Sequence, residues 1–443
     1  MTDLGAVPWP DAPRRTAAAE GAFAAPRLPS LRFWAGVFVV LMFSGGWIIF
    51  VIGPAGNPQA GALVQALFTP AYVAALWMLA SRWRRSLQAG WASPLVWVLM
   101  GIVGASILWS VNPGVTERRF VALMFTTLAG TALAASFDWN ELSEVLGASY
   151  AVLILVCIAL AVAVPSWGRM TTEFPGFWKG VWTEKNALGG HMTKGFCLLI
   201  AAAALNPRRW WLWAGFSGLA ILLVLMSGSK TSLVTAMLGA GMLGFVFLVR
   251  RGGPVSVLAV FGAVTAIAAL VFVSVFAREQ VFKVLGKDAT LTGRTAIWSA
   301  AELEIAKNPL LGYGYQAVWA SDDRWTPYAW IMKHSHFKPQ HAHNGWIETR
   351  LGLGLVGLAA WTAVFLEFWG RTIWAVFASR GAWLALPFLV TYSVQTLTES
   401  TAYIYNDFTW VIFVALLTRL ALPRPAGDTA TDGEAAAEAA PAP

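Results

Sequence analysis

Charge is scarce in this chain. Of its 443 residues only 12% are Asp, Glu, Lys or Arg, against 57% hydrophobic, where a soluble domain carries roughly 25% charged residues. That balance excludes an ordinary water-soluble domain and marks a polytopic membrane protein. Cysteine is nearly absent: Cys157 and Cys197 both lie inside apolar runs, which excludes a disulfide framework and a cysteine metal site. The G-x-x-x-x-G-K-[ST] spacing of a P-loop is missing too. The net charge of +8 is no nucleic-acid signature, because most of the cations flank apolar runs. No nucleic-acid partner is expected.

What the chain does have is a succession of apolar runs. Residues 1–30 are rich in Ala and Pro, carry Arg14, Arg15 and Arg27, and contain no run of membrane length; they read as a cytoplasmic, disordered tail and not as a cleavable signal peptide. Runs long enough for a helix to cross the hydrocarbon core then follow at 33–52, 61–80, 91–109, 120–136, 145–164, 187–205, 210–226, 232–249, 255–276, 346–369, 381–397 and 408–422. The expected fold is all-α, with about twelve transmembrane helices in one membrane domain over residues 31–423. Residues 424–443, rich in Ala, Glu and Pro, read as a second disordered cytoplasmic tail.

Positive residues in short loops are retained in the cytoplasm. Alternate loops carry Arg82, Arg84 and Arg85, then Arg208 and Arg209, Arg250 and Arg251, Arg371 and Arg380, and Arg419 and Arg424. All fall on the side of the N-terminal tail, so an even number of spans puts both termini in the cytoplasm. The long interval at 277–344, between the ninth and tenth runs, then faces outward. It contains a helix-like stretch at 292–307, an Asn308-Pro309 stop, aromatic Gly312-Tyr313-Gly314-Tyr315 and the acidic pair Asp322-Asp323, and it reads as an ordered cap.

Several outward loops hold cations against the topology rule. Ser227-Gly228-Ser229-Lys230-Thr231-Ser232 is either a tight hairpin whose lysine snorkels to the interface or an anion cradle of converging N–H groups with Lys230 as a point charge. Arg294, in the first turn of the loop helix with Thr292 as its cap, opposes the helix dipole. That makes sense if an anion shares the positive end; the plain alternative is an exposed surface arginine. Arg118 and Arg119, after Asn112-Pro113, and Lys185, in Trp182-Thr183-Glu184-Lys185-Asn186, are weaker candidates of the same kind.

Four of the five histidines, His334, His336, His341 and His343, lie within ten positions. Two H-x-H pairs are zinc ligands in principle, but no acidic or cysteine ligand stands at a fixed spacing, and no metal is expected. His343, at the mouth of the tenth run, is best placed as a general base, since an imidazole of ordinary pKa near 6.5 suits proton removal at neutral pH. Gly345, Gly352, Gly354 and Gly357 beside it permit close helix approach.

His343-Asn344, nine residues, then Gly354-Leu355-Val356-Gly357 resembles the signature H-[NSQ]-x9-G-x-x-[GTY] of the O-antigen ligase and O-antigen polymerase superfamily. Gly228-Ser229-Lys230-Thr231 resembles that family's outward S-[RK] hairpin. Gly293-Arg294 with Trp298, then Asn308-Pro309-Leu310-Leu311-Gly312-Tyr313-Gly314, resembles its large-loop block, and the Phe177–Gly189 stretch is most similar to the exopolysaccharide-polymerase branch. The resemblance covers roughly residues 109–357.

It implies a multi-helix membrane glycosyltransferase of the bacterial inner membrane. Such an enzyme takes a glycan from undecaprenyl diphosphate at the periplasmic face, without cofactor or metal, and works among membrane lipids beside a flippase and chain-length or export proteins. On this resemblance His343 is the catalytic histidine, Asn344 beside it is a substrate-binding residue, and Arg294 and Lys230 contact the diphosphate. Lys230 departs from ligases that carry arginine there, losing the bidentate fork. Lys185 with Asn186 favours a polymerase over a ligase, and a flippase for the same lipid is the alternative from another class. Trp319, Trp325, Tyr328 and Trp330 are sugar-stacking or interfacial aromatics.

Overall fold

The computed structural model of the chain describes residues 30–53, 61–276, 294–320, 326–336 and 338–422. Apart from one isolated β-bridge between Arg169 and Trp178, the regular elements among them are all helices. Seven are long and apolar enough to cross a membrane: Gly61–Ser81, Pro113–Ser136, Trp139–Ala163, Lys185–Leu205, Pro207–Ser227, Lys230–Arg250 and Gly345–Ala378. A bent pair, Trp83–Ala92 and Pro94–Trp109, makes an eighth if it counts as one span. The chain is an integral, polytopic membrane protein. The other expected runs fall on the helices Leu31–Phe43, Gly253–Phe276, Ala382–Thr398 and Phe408–Ala421. Both tails, apart from Ser30, and Thr292, Asp322-Asp323 and Trp325 lie outside the described residues.

Two runs expected to be continuous are broken. Residues 33–52 divide at Ser44–Trp47, where Gly45 takes a left-handed φ of 66° that a helix does not admit. The run expected at 91–109 starts at Pro94, and Trp91 belongs to the preceding amphipathic helix, which turns away by 79°. The missing N–H and the ring of Pro94 exclude continuation. Other helices start earlier than the apolar pattern. Asn112 caps the Pro113–Ser136 helix through Val115 N at 3.3 Å, with Pro113 in its first turn, so the polar stretch Thr116–Arg119 is already helical. Asp138 and Glu141 form a reciprocal capping box at 2.8 and 3.2 Å.

Contacts sort the loops into two ends. At one end Arg209 pairs with Glu144 at 2.6 Å, Arg380 donates to Leu205 O at 3.2 Å, and Arg371 donates to Ala92 O and Ser93 Oγ at 2.7 and 2.9 Å. Arg419 covers the Trp139 ring there. Arg209, Arg371, Arg380 and Arg419, four of the loop arginines expected to share a side, thus share an end, and Arg424 lies outside the described residues. At the other end the described segments 294–320, 326–336 and 338–344 form a cap over the bundle, with Trp109 Nε1 donating to Leu311 O at 2.9 Å and Val111 N to Tyr313 O at 3.0 Å.

The cap is locked to the bundle at a kink in the Gly345–Ala378 helix. Gly354 has φ 61° and ψ −155°, which interrupts the helical ladder. The backbone groups so released are taken up by the segment Pro309–Gly314: Leu355 N donates to Pro309 O at 2.8 Å, Val356 N to Leu310 O at 3.1 Å, Tyr313 N to Leu351 O at 3.0 Å and Gly314 N to Gly352 O at 2.8 Å. Groups beside a membrane helix must find protein partners in this way. A Cβ on Gly354 would stand 2.3 Å from the Leu310 carbonyl carbon, and one on Gly312 (φ 65°) 2.7 Å from that of Gly352. At Gly354 and Gly312 the close approach is of loop to kinked helix, not of helix to helix.

Candidate active site

His343 sits one residue before a helix cap. Asn344 Oδ1 accepts from Trp346 N at 2.9 Å and Ile347 N at 3.2 Å, while its Nδ2 donates to Leu397 O at 3.4 Å. Such a cap is worth about 1 kcal/mol. It fixes the chain entering the helix, and His343 takes a left-handed φ of 51°, a conformation in which His, Asn and Asp are enriched. Asn344 therefore positions His343 and spends its oxygen on the backbone.

The ring of His343 points at a residue the sequence pattern did not single out. Its Nδ1 lies 3.1 Å from Glu399 Oε2, and the other oxygen, Oε1, accepts from Arg294 Nη2 at 3.0 Å. One carboxylate thus joins the start of the cap helix Arg294–Ile305 to the approach to the His343 helix. The anion beside the Arg294 guanidinium in this structure is Glu399. Burial pushes the Glu399 carboxyl up, but the His343 hydrogen bond and the charges of Arg294, His343 and His341 outweigh it and hold the group below the ordinary glutamate range.

Around this pair the cap is braced by Glu348. Its Oε1 accepts from Ala342 N at 2.6 Å and Ser400 Oγ at 3.1 Å, and its Oε2 from Trp319 Nε1 at 2.8 Å. Trp298 Nε1 donates to Ala342 O at 2.8 Å. Both chain neighbours of the His343–Glu399 pair, Ala342 and Ser400, are thereby fixed.

A cavity of about 520 Å³ opens beside the pair. Arg119, Arg294, Gln316, Trp319, His341 and Glu399 line its cap side, and Ser229, Thr231, Ser232, Gly190, Lys194 and Asp407 line it within the bundle. Arg119 donates to Gln316 O and lies over the Tyr405 ring.

The other expected site residues are placed as follows. Lys230 is the exposed first residue of its helix, outside the cavity lining, while Ser229 caps that helix through Ser232 N and Gly228 is left-handed at φ 59°. Lys185 lies over the Phe174 and Phe177 rings at 4.3 and 4.6 Å, with Nζ 3.5 Å from Gly228 O, so it rests on the back of the hairpin. Arg118 is exposed and is not among the lining residues. The fold brings Arg294, Arg119 and, through Glu399, His343 to one place.

The histidines divide. His334 Nδ1 bonds Trp330 O at 2.8 Å and its ring stacks on Trp330, and His336 ends its helix in solvent. His341 stays with His343, ring centres 4.0 Å apart. Burial, together with the neighbouring His343 and Arg294 and against the pull of Glu399, lowers its pKa to about 4, so it is a neutral imidazole at physiological pH. One ligand atom from each of His341, His343 and Glu399 falls within 4.8 Å of the others. Two imidazoles and a carboxylate are a donor set for a divalent transition metal, yet the Arg294 guanidinium on the same carboxylate already supplies a cation.

Glu399 was hidden because its partners are remote in sequence. Lys194 and His191, inside the run 187–205, carried a readable signal, since ionisable residues within a membrane span are functional candidates by default.

With this geometry in view, the comparisons with known proteins fall on the same region. Residues 214–362 match the family model described as O-Antigen ligase. That interval holds the serine hairpin, Arg294, His343 and both glycines of the kink. The chain is also 28% identical over 354 residues, covering 72% of itself and 78% of the relative, to the exopolysaccharide production protein ExoQ of Rhizobium meliloti (strain 1021). Both the O-antigen ligase match and this relative agree with the family and branch that the motifs resemble.

Proposed function

We propose that this protein is an inner-membrane polymerase that transfers an oligosaccharide from undecaprenyl diphosphate to a sugar hydroxyl of another lipid-linked repeat, in exopolysaccharide biosynthesis. The observation that carries it is the single Glu399 carboxylate, in the cavity wall beside Arg294, which also holds the His343 ring just outside that wall. In this reading about twelve spans place the arginine-rich end and both termini in the cytoplasm and the cap with its cavity at the periplasmic face. The lipid-linked repeat is the donor, and flippase and export proteins are its neighbours.

The chemistry follows from the hydrogen bonds. With Nδ1–H donated to Glu399, His343 presents Nε2 as a lone pair to the acceptor hydroxyl. That oxygen attacks the anomeric carbon as its proton passes to Nε2. The bond from the anomeric carbon to the phosphate oxygen breaks, and its electron pair leaves with the diphosphate. Arg294, at the cap, is the proposed cation for that developing charge, which fixed groups stabilise without reorganising, and Lys230, exposed at the hairpin, is the proposed cation at the entrance. Attack opposite the leaving group inverts the anomeric centre. The cations serve in place of a metal.

A second reading is transfer of a finished glycan to a lipid acceptor, favoured by the family description. The relative's role in exopolysaccharide production favours polymerisation. Purified protein incubated in EDTA with lipid-linked repeat units decides between them. A ladder of products supports the polymerase, and one discrete transfer to an added acceptor supports the ligase. Translocation in vesicles without new glycosidic bonds would sink both.

A further inference from the structure

Lys194 is a fully enclosed cation in the same cavity that no motif accounts for. It is 2% exposed and its Nζ donates to Gln395 Oε1 at 2.5 Å, while Gln395 Nε2 is committed to Gly190 O at 3.0 Å. A buried ammonium is costly unless paired, and among the described residues its direct bond is to a neutral amide. Asp407 lies within electrostatic reach, but its carboxylate caps the Phe408–Ala421 helix through Thr409 N at 2.8 Å and Trp410 N at 3.3 Å. Beside Lys194 the His191 ring is held between Trp182 and Phe408, ring centres 4.5 and 4.7 Å away, and its buried Nδ1 has no hydrogen-bond partner among the described residues.

The level of Lys194 matters as much as its burial. Thr193 Oγ1 donates to Ser232 O at 3.0 Å, which sets Lys194 about one helical turn below the Ser229-Lys230 hairpin. The hairpin turns Ser229, Thr231 and Ser232 into the cavity and leaves Lys230 exposed outside its lining. A phosphate group on these hydroxyls would have Arg294 and Arg119 on its cap side and Lys194 beneath it. Of the carboxylates lining the cavity, Glu399 is held by Arg294 and His343, Asp407 by helix amides, and Glu184 is exposed.

We propose that Lys194 is the second diphosphate-holding cation of this site, reaching from the cavity floor the lipid diphosphate that Arg294 holds from the cap. This rests on the lipid-diphosphate reading above, and Lys230 is then a rim charge that attracts the anionic headgroup.

The test is binding of farnesyl diphosphate and farnesyl monophosphate to the full-length protein in nanodiscs, for wild type, Lys194→Gln, Lys194→Arg, Gln395→Glu and Arg294→Ala. Lys194→Gln is expected to weaken diphosphate binding about tenfold or more, the loss of one charge-assisted hydrogen bond, and to shrink the preference for diphosphate over monophosphate. Lys194→Arg keeps most of both. Gln395→Glu, which gives the lysine an internal ion partner and so preserves folding if the glutamine variant does not fold, also weakens diphosphate binding. Wild-type affinity and preference in Gln395→Glu and in folded Lys194→Gln, while Arg294→Ala loses binding, would overturn the role of Lys194 and leave the function standing. Failure of wild type to bind either prenyl phosphate would overturn the lipid-diphosphate reading and this inference with it.

Discussion

At the scale of single residues the account turns on a carboxylate. Glu399 bonds the guanidinium of Arg294 and the imidazole of His343 at once, so in the proposed mechanism it sets both the tautomer of the base and the place of a cation. Glu399→Gln keeps an acceptor for His343 Nδ1 but removes the charge. Chain growth should fall about 10- to 100-fold, the value of a charge-assisted hydrogen bond, with expression and folding intact; an unchanged initial rate would show that Glu399 is not in the machinery. His341 gives a pH signature. Its folded pKa of about 4 lies below the unfolded value of about 6.5. The unfolded chain therefore takes up more protons between these values, and stability present above pH 6.5 is lost as pH falls toward 4. The depressed Glu399 carboxyl acts in the same direction below the ordinary glutamate range. Thermal melts from pH 7.5 to 5 should show a falling midpoint in wild type and a flatter profile in His341→Gln. Parallel profiles would contradict the burial of a neutral His341.

At the scale of elements the site depends on how a loop and a helix interrupt each other. His343 and Gly354 are legible as a spaced pair in the sequence, but what the glycine accommodates is not. It lies in the backbone pairing between Pro309–Gly314 and the kinked helix, contacts whose partners are about forty residues apart. Apolar pattern located the helices well and their starts poorly, because the caps at Asn112 and Asp138 and the break at Pro94 are set by side-chain and backbone chemistry that hydropathy does not record. Arg294 and His343 were visible as types in suggestive places. Glu399, lying in the polar turn after the run at 381–397, carried no local sign of the two partners that the fold brings to it. Gly354→Ala would cost about 1–3 kcal/mol from the left-handed backbone alone, with the clash at Leu310 in addition. A lowered melting temperature and lost chain growth are expected together, and an unaltered melting temperature would show that the kink is not required.

At the scale of the whole molecule, the fold gathers arginines at one end of a helical bundle and the cap, the hairpin and the cavity at the other. Its two cysteines are buried, so an impermeant thiol reagent reports on introduced cysteines alone. In intact cells a cysteine at Lys230 should label from outside and one at Arg209 should not; the reverse pattern would invert the proposed topology. The most direct measurement of the central claim is chain growth by purified protein on lipid-linked repeat units in EDTA, comparing wild type with His343→Ala and Arg294→Ala. Wild type should form a product ladder without metal. His343→Ala should slow it by about 100- to 10,000-fold, as removal of a general base does, while still binding a prenyl diphosphate; Arg294→Ala should lose both binding and growth. Growth that persists unchanged in both variants, or that stops in wild type when metal is chelated, would contradict the account.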